Sequence, residues 1–421
     1  RAYFYFEKVK RFGDVPWYDK VLGSDDADLY KARDSREFVM GKIMEDLNFA
    51  IEVFKETNRT KELYRVTWWT AQALKSRVGL FEGTYRKYHG LGDYEKYLND
   101  CVSASNEIMT ASGGYSLYQS GSQSYRNLFK SENAIDAEII LARDYNNDLS
   151  LVHKVQAFEN SPTLGRPGLS KKMVNYYLMK NGNRFTDQPN YATMEFKDEI
   201  VNRDPRLAKY ILFNGATFKE KAIITGTYPD AENKQDNNLN QLSTSTRTGY
   251  YLRKLLREDC NANPNSLNAK FHIPVRIRYT EIFLAYAEAA NDAWGPMGKG
   301  SNAYSAYDVV KAIRARGGVG TDNGDAYLES IKGDKEKMTQ LIRNERRIEL
   351  CFENKRFWDI RRWQMPLAET AKGMRIDKVG ESLNYTVIDV ENRNYKEYMN
   401  YGPIPYGEML KWSNLQQNKG W

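Results

Sequence analysis

The sequence predicts a mostly α-helical protein, in which stacked helix pairs form a scaffold and an irregular, loop-rich region packs on it. Apolar residues recur at the helical period of about 3.6 residues in the first 112 positions and again from residue 276. Between these parts the periodic runs shorten, and Asn, Asp, Ser, Thr and Gly become more frequent. Length alone allows two or three domains or one large one. The patterns divide residues 1–421 into three parts: helix pairs (1–112), an irregular region (113–275), and further helices (276–421).

The chain begins with RAYFYFEKVKRFG, a stretch typical of the middle of a helix. We therefore expect the natural protein to begin before Arg1. Asp34 followed by Glu37 fits a capping box for a second helix. The apolar stripe of that helix comprises Val39, Ile43, Leu47, Ala50, Ile51 and Phe54.

Two further helices are predicted in the N-terminal part. Thr67 is placed to cap a helix through WWTAQALKSRVGLFEGTYRKY, whose buried face comprises Leu74, Val78, Phe81 and Tyr85. A fourth helix, predicted to end at Gly113 and Gly114, carries Leu98, Cys101, Val102, Ser105, Ile108 and Met109. Stacked helix pairs bury apolar faces that no single pair can bury, as in tetratricopeptide arrays, although the strict consensus of those arrays is absent.

The irregular region contains fewer periodic runs. AEIILAR (137–143) predicts a strand, and LSKKMVNYYLMKNG (169–182) predicts a helix that ends at Gly182. Residues 229–249 are polar and typical of a loop. Because long loops inside a compact chain often carry function, the ligand site is predicted mainly in this region.

Helices return in the C-terminal part. RIRYTEIFLAYAEAANDAW (276–294) predicts one helix, with Tyr279, Ile282, Phe283, Tyr286 and Ala290 on one side. A second is predicted over 303–316 and ends at the pair Gly317 and Gly318, and a third begins near residue 335. Two prolines bracket Ile404 and predict an extended segment near the end of the chain.

Composition argues against several classes of protein. The net charge is +7 and both signs are mixed throughout, without the basic stripe of a nucleic-acid-binding protein. Cys101, Cys260 and Cys351 lie far apart, which gives neither a disulfide framework nor a CxxC metal site. The three histidines offer few candidates for a zinc site or a Ser-His-Asp triad. No stretch approaches the roughly 18 apolar residues of a membrane span.

The stretch RNERRIELCFENKRFWDIRRW (343–363) allows three interpretations: a nucleic-acid-reading helix, a pair of catalytic carboxylates, or a buried structural seam. Its mixed charges are poorly suited to holding phosphates. Glu345 and Glu349 share a helix face, but basic residues surround them at helical spacing. We therefore predict structural ion pairs, with Arg343, Arg346 and Arg347 as the partners.

The stretch ARGGVGTDNGD (315–325) is rich in glycine but lacks the phosphate-loop pattern and follows a helix, so we interpret it as a helix stop and turn. Asp322, Asp325 and Glu329 do not have the spacing of a calcium-binding EF-hand loop. No metal site, cofactor or catalytic residue is predicted.

Aromatic residues in the irregular region are the candidates for ligand contact. Aromatic faces stack on the apolar faces of sugar rings, while Asn, Asp and Arg bond the hydroxyls. Trp294 joins them because it follows a helix in NDAWGPMG. The predicted ligand-binding residues are Tyr145, Asn146, Asn147, Asp148, His153, Phe158, Phe185, Tyr191 and Trp294.

Several longer stretches occur in an order typical of one family: RAYFYF, FGDVPW, DLNFAI, RVT, ALKSRVGLFEGTY, NRDPRL, RYTEIFLAYAEA, IRARGGV, LIRNERRIELCFENKRFWDIRRW and PIPYGEM with NLQQNKGW. In these stretches the chain resembles the SusD/RagB family of outer-membrane lipoproteins from Bacteroidetes. The resemblance extends from residue 1 to Trp421 and is most specific in the C-terminal motifs.

This resemblance implies that residues 1–421 form a single SusD-like domain, an α-α superhelix with four tetratricopeptide-like helix pairs, whose part 276–421 comprises C-terminal helix pairs and a docking tail. It also implies a non-enzymatic, glycan-binding function. It implies a SusC-like TonB-dependent transporter as partner and a lipidated cysteine, before Arg1, that holds the protein on the cell surface. Calcium occurs in some members of the family, but none is predicted here. No ligand-contacting residue matches a family motif, so the nine predicted residues rest on their position alone.

Two alternatives remain open at this point. A peptide-binding, RagB-like subunit of a peptide importer would favour main-chain contacts along an extended groove. A glycoside hydrolase would place two carboxylates at glycosidase separation in a cleft.

Overall fold

The computed structural model describes residues 1–130, 134–144, 169–191, 199–218, 220–228, 246–259 and 273–421. Within these residues the protein is mostly helical, which confirms the predicted fold class. Among the described residues between 113 and 275, loops and short strands alternate with short helices.

The described residues contain thirteen α-helices: α1 (Ala2–Phe12), α2 (Arg36–Thr57), α3 (Trp68–Tyr88), α4 (Tyr94–Thr110), α5 (Ser124–Lys130), α6 (Lys171–Tyr176), α7 (Arg206–Tyr210), α8 (Tyr279–Trp294), α9 (Ala306–Gly317), α10 (Ala326–Ile331), α11 (Lys335–Glu349), α12 (Arg356–Arg362) and α13 (Tyr406–Lys411). Short 3-10 helices cover Ala27–Tyr30, Phe185–Asp187 and Glu397–Asn400. The strands are β1 (Ile139–Ala142), β2 (Ile211–Leu212), β3 (Thr217–Phe218), β4 (Lys221–Ala222), β5 (Tyr251–Leu252), β6 (Val275–Arg278), β7 (Thr370–Val379) and β8 (Ser382–Asn392).

The scaffold consists of helices packed in pairs, α1 on α2, α3 on α4 and α8 on α9, with α8 also contacting α3, α4 and α11. The closest approach is between α3 and α4. A Cβ atom on Gly79 would lie 2.6 Å from the carbonyl oxygen of Tyr97, and one on Gly83 would lie 2.7 Å from the side chain of Leu98. Glycine inside a helix costs stability relative to alanine, so these two positions keep it because the neighbouring helix leaves no room for a side chain.

The observed N-cap agrees with the sequence prediction at α3 and differs from it at α2. Thr67 caps α3 as predicted, since its hydroxyl accepts a hydrogen bond from the amide of Thr70. At α2 the predicted cap, Asp34, is wrong: Ser35 is the N-cap and accepts from the amide of Phe38 at 3.2 Å. The carboxylate of Asp34 accepts instead from the amide of Trp17, 2.7 Å away, and fastens the preceding loop.

The helix predicted over 276–294 begins at Tyr279, because the residues before it form β6. This strand pairs antiparallel with β1, which confirms the strand predicted in AEIILAR. The pairing brings the start of the irregular region onto the C-terminal helices.

The sequence reading missed the hairpin of β7 and β8. Its signal is the alternation in MRIDKV, which buries Met374 and Ile376 and leaves their neighbours more exposed. Both residues pack in a core with residues of the irregular region and with Ile348 at the end of α11. The hairpin therefore packs on the irregular region and on the end of α11.

The helix predicted over 169–182 ends at Tyr176, six residues early. Arg203 explains the difference. Its guanidinium donates to the carbonyl oxygens of Val174 and Tyr177 at 2.7 Å and to that of Glu199 at 2.6 Å, and this holds the chain at Tyr177, where the backbone turns from helical to extended. Burial lowers the pKa of Arg203 to about 10.

A buried ion-pair network joins the irregular region to the helices. Arg206, fully buried, binds Asp204 and Glu345 at 2.7 Å and Glu349 at 3.0 Å. Arg316 of α9 reaches the other oxygen of Glu349 at 2.9 Å and Glu138 at 2.7 Å. Arg206 and Arg316 thus meet at the glutamates of α11, and Glu138 joins them through Arg316.

The predicted partners of these glutamates are therefore wrong. Glu345 and Glu349 pair with arginines from other elements, not with Arg343, Arg346 and Arg347 of their own helix. Their spacing of four residues places both on the face of α11 that is buried against α9 and the start of α7. Arg346 binds Glu288 and Asp359 on a different side of the helix.

We expect Arg206→Met to lower the free energy of unfolding by about 3–5 kcal/mol, because it leaves buried carboxylates without their cation. Urea denaturation at neutral pH measures this. The control is Lys411→Met, which breaks an exposed pair with Glu408 and should stay within about 0.5 kcal/mol of the wild type. Equal stability of the two variants would contradict the proposed role of the network.

A second prediction concerns acid. Burial alone raises the pKa of Glu349, but Arg316, Arg206 and Arg278 outweigh it and lower the pKa from 4.5 to about 2. A carboxylate with a depressed folded-state pKa stabilises the protein above its unfolded pKa and loses that contribution as pH falls. Between pH 4.5 and 2, the stability of Glu349→Gln should therefore fall less steeply than that of the wild type, in denaturation curves at each pH. Parallel curves over this window would refute the assignment.

Candidate functional site

Six of the nine predicted ligand-binding residues lie outside the described residues. They are Tyr145, Asn146, Asn147, Asp148, His153 and Phe158. The other three, Phe185, Tyr191 and Trp294, occupy different environments.

Trp294 is the last residue of α8 and is 38% exposed. The turn after it folds back on the indole: a Cβ atom on Gly300 would lie 2.9 Å from Cζ2 of the ring. The ring is therefore held in place while part of it faces solvent. Trp294 does not line the cavity that contains Tyr191.

Phe185 is only 1% exposed, so its ring is not open to solvent. The guanidinium of Arg203 covers the ring at 3.8 Å, and Tyr191 packs against it at 5.7 Å in an edge-to-face arrangement. Both contacts use the aromatic surface that a sugar would need. In this structure Phe185 supports Tyr191 from below.

Tyr191 stands at the mouth of a cavity of about 450 Å³, a size usual for small-ligand sites. The amide of Tyr191 donates to the carbonyl of Gln188 at 3.0 Å, and this turn places the ring over Phe185. Two more tyrosines, Tyr176 and Tyr327, line the same cavity. The cavity thus lies between the irregular region and helices α10 and α11.

The floor of the cavity contains two arginines of α11. Arg347 is 9% exposed, and its guanidinium lies 3.2 Å from the ring centre of Tyr176. Arg343 lies between the rings of Tyr88 and Trp363, at 4.7 and 4.8 Å. Aromatic faces hold both cations in position by cation–π attraction.

Several buried polar atoms of the lining residues have no hydrogen-bond partner. They are the Nε of Arg347, the Nε and Nη2 of Arg343, and the Oδ1 atoms of Asn175 and Asn344. Buried polar groups in native proteins are nearly always satisfied by protein, water or ligand. These three nitrogen donors and two oxygen acceptors belong to side chains that line the cavity.

A larger cavity of about 890 Å³ lies at the start of the chain, between α1, α2, α3 and strands β1 and β6. Its walls are mainly apolar, with Leu47, Leu74 and Ile277 inside and Phe49 and Tyr64 exposed at the edge. Among its described lining residues, none carries a buried polar atom without a partner.

The described residues contain no group of three or more His, Cys, Asp or Glu that would hold a metal ion. Asp325 caps α10 and binds Arg314 at 2.6 Å. Across the same described part of the chain, no helix combines the length and apolar character needed to cross a membrane.

The sequence reading missed Tyr176, Tyr327, Arg343 and Arg347 as site residues. It assigned both arginines to ion pairs with neighbouring glutamates. The usable signal is that Arg343 and Arg347 are four residues apart, as Glu345 and Glu349 are, but on a different face of the helix. The face with Glu345 and Glu349 is paired with arginines from other elements, whereas the face with Arg343 and Arg347 lines the cavity.

Two curated proteins of Formosa agariphila are similar to this chain. SusD-like protein P25 is 23% identical over 420 residues, covering 97% of this chain and 68% of that protein. SusD-like protein P2 is 23% identical over 421 residues, covering 99% and 72%.

Solved structures show the same fold. A SusD-like protein from Bacteroides fragilis is 28% identical and superimposes with a TM-score of 0.74, covering 100% of this chain and 78% of that protein. A second B. fragilis structure, described as a SusD-like carbohydrate-binding protein, is 22% identical with a TM-score of 0.74, covering 99% and 78%. The model of the SusD family matches residues 137–421, more than half of the chain. This chain therefore belongs to the SusD family.

Proposed function

We propose that the protein is a cell-surface glycan-binding subunit of an outer-membrane nutrient uptake complex. It captures an oligosaccharide or polysaccharide and passes it to a SusC-like TonB-dependent transporter. The observation that carries this proposal is the cavity beneath Tyr191, where tyrosine rings and unpaired amide and guanidinium groups line one space.

The chemistry of that cavity suits a sugar. A pyranose ring presents C–H groups on its faces, which pack on aromatic rings, and hydroxyl groups around its edge. Hydroxyls donate and accept, so they can satisfy both the Oδ1 atoms of Asn175 and Asn344 and the N–H groups of Arg343 and Arg347. A purely apolar ligand would leave these groups unsatisfied, at a cost of about 1–3 kcal/mol each.

Family membership supports the remaining parts of the proposal. A structurally similar protein from B. fragilis is described as carbohydrate-binding. The family resemblance supports a location on the outer face of the outer membrane, with a lipid anchor on a cysteine near the natural N-terminus. It also supports the transporter as the partner that receives the glycan.

We propose that the protein binds glycans without cleaving them. The acidic pair of the sequence that would suit a glycosidase, Glu345 and Glu349, is buried and bonded to Arg206. Glu349 needs to accept or donate a proton to act in hydrolysis, yet its pKa is lowered to about 2. Incubation of the protein with a panel of oligosaccharides should release no shorter product, and release of one would establish a hydrolase.

A peptide-binding function is the second candidate. Peptide capture by main-chain pairing uses an exposed strand edge, with side chains in alternate pockets. The cavity beneath Tyr191 is lined instead by side chains of α6, α11 and the turn before Tyr191. Glycan arrays and calorimetry with peptides separate the two, and peptide binding without any sugar binding would overturn the proposed function.

Tyr191→Ala should weaken binding of the recognised glycan about tenfold, because the lost ring contact is worth about 1 kcal/mol or more. Isothermal calorimetry measures the affinity. Thermal unfolding should remain close to the wild type, since Tyr191 is at the surface. Tyr406→Ala, which removes an equally large ring that is 72% exposed on α13, is the control and should bind normally.

Trp294→Ala tests the alternative position predicted from the sequence. If this variant loses binding and Tyr191→Ala does not, the glycan site lies at the end of α8. If both lose binding while both remain folded, one extended ligand contacts both places.

A further inference from the structure

We infer that the cavity beneath Tyr191 recognises an acidic sugar, with its carboxylate or sulfate group bound by Arg343 and Arg347. This inference rests on the proposed glycan-binding function and names the class of glycan. It follows from the distribution of charge in the cavity, from the pairing of the carboxylates around it, and from the atoms left without partners.

The cavity is lined by charges of one sign. Its lining includes Lys172, Arg184, Arg343 and Arg347, and no aspartate or glutamate among the described residues. Over the whole chain, by contrast, the two signs are mixed and the net charge is only +7. A concave surface with one sign of charge concentrates ligands of the opposite sign.

The two cations at the mouth of the cavity have partners. Lys172 pairs with Glu369 at 2.5 Å, and Arg184 pairs with Asp187 at 2.9 Å. All four side chains are more than 40% exposed, so these pairs are weak and easily exchanged for a ligand. They contribute attraction at the entrance.

The two cations on the floor of the cavity, Arg343 and Arg347, have no carboxylate partner among the described residues. No carboxylate of the described residues lies within 4.0 Å of the guanidinium of Arg343 or Arg347. Two carboxylates act on Arg347 from farther away, Glu369 and Asp359. Glu369 is paired with Lys172, and Asp359 is paired with Arg346 and Arg362, so neither is available.

A buried cation without a counter-ion is unfavourable, and the pKa of Arg347 reflects this cost. Burial lowers the pKa of Arg347, and the charge interaction and hydrogen bond with the Tyr176 hydroxyl only partly offset the effect. Arg203, buried to a similar degree in the same region, is satisfied by backbone carbonyls. Arg347 and Arg343 keep three N–H positions unused. A bound anion would satisfy both the charge and the hydrogen bonds.

An inorganic anion satisfies only part of the site. Asn175 and Asn344 present acceptor atoms to the same cavity, and an acceptor needs a donor. Tyr191 and Tyr327 present aromatic surface beside them. A uronic acid or a sulfated sugar carries all three features in one ring: charged oxygens, hydroxyl donors and apolar C–H faces.

The test uses matched pairs of oligosaccharides that differ only in charge. One arm compares oligogalacturonates with their methyl esters, and the other compares a sulfated galactan oligosaccharide with its desulfated form. Isothermal calorimetry on the 421-residue chain should give an affinity for the acidic member at least about tenfold higher in one arm, because charge-assisted hydrogen bonds contribute that much. The arm that shows the difference identifies carboxylate or sulfate.

Arg347→Gln should remove most of that preference, weakening the acidic member about tenfold while changing the neutral member less than about twofold. Arg375→Gln carries the same change of charge at an exposed position on β7 and is the matched control. If Arg347→Gln does not fold, Lys172→Gln at the mouth provides the test, with an expected loss of about twofold that disappears in high salt.

The failures are distinguishable. Equal binding of acidic and neutral members, with or without Arg347, overturns this inference and leaves the proposed glycan-binding function intact. Binding of a Glu-rich peptide as tight as the acidic sugar, lost in Arg347→Gln, shows that the cavity takes acidic peptides and overturns it as well. Binding of no oligosaccharide in either arm or on a glycan array overturns the proposed function itself.

Discussion

Pairing of buried guanidinium and carboxylate groups is the constraint on which this structure depends. Arg206 of α7, Arg278 of β6, and Arg314 and Arg316 of α9 come from three different elements, and their side chains are all buried. Each meets carboxylates from elements distant in sequence, chiefly Glu138, Glu345 and Glu349. Because an unpaired buried charge is so costly, the pairs form only when every segment is in place. The apolar cores fill the space between helices, but the ion pairs specify how the irregular region sits on them.

Helix α11 shows how one short sequence serves several purposes. Glu345 and Glu349 enter the buried network, and Arg346 binds Glu288 and Asp359. Arg343 and Arg347 line the cavity beneath Tyr191. A helix turns about 100° per residue, so neighbours in the sequence face different parts of the molecule. The stretch has mixed charge because its acidic and basic residues lie on different faces of the helix and contact different partners.

The scaffold helices could be predicted from the sequence because their signals are local. Periodicity and caps such as Thr67 depend on residues a few positions apart. The partners of Glu345 could not be predicted, since Arg206 is 139 residues away. For the same reason the early end of α6 was missed, because the side chain of Arg203 lies far along the chain. The same distinction applies to the candidate site residues. Tyr191 could be predicted as an aromatic residue in a loop, and it lines the cavity. The burial of Phe185 could not be predicted, because it depends on long-range packing.

The anchoring of the irregular region also bears on how the family can diversify. The buried network fixes this chain at Glu138, at Asp204 and Arg206, at Lys254 and at Arg278. The entropy of closing a loop rises slowly with its length, by about 0.6 kcal/mol for each doubling. Insertions and replacements between the anchors are therefore inexpensive, whereas a single change at an anchor is not. Evolution, or a protein engineer, can therefore exchange the segments between the anchors while the buried network continues to hold the fold.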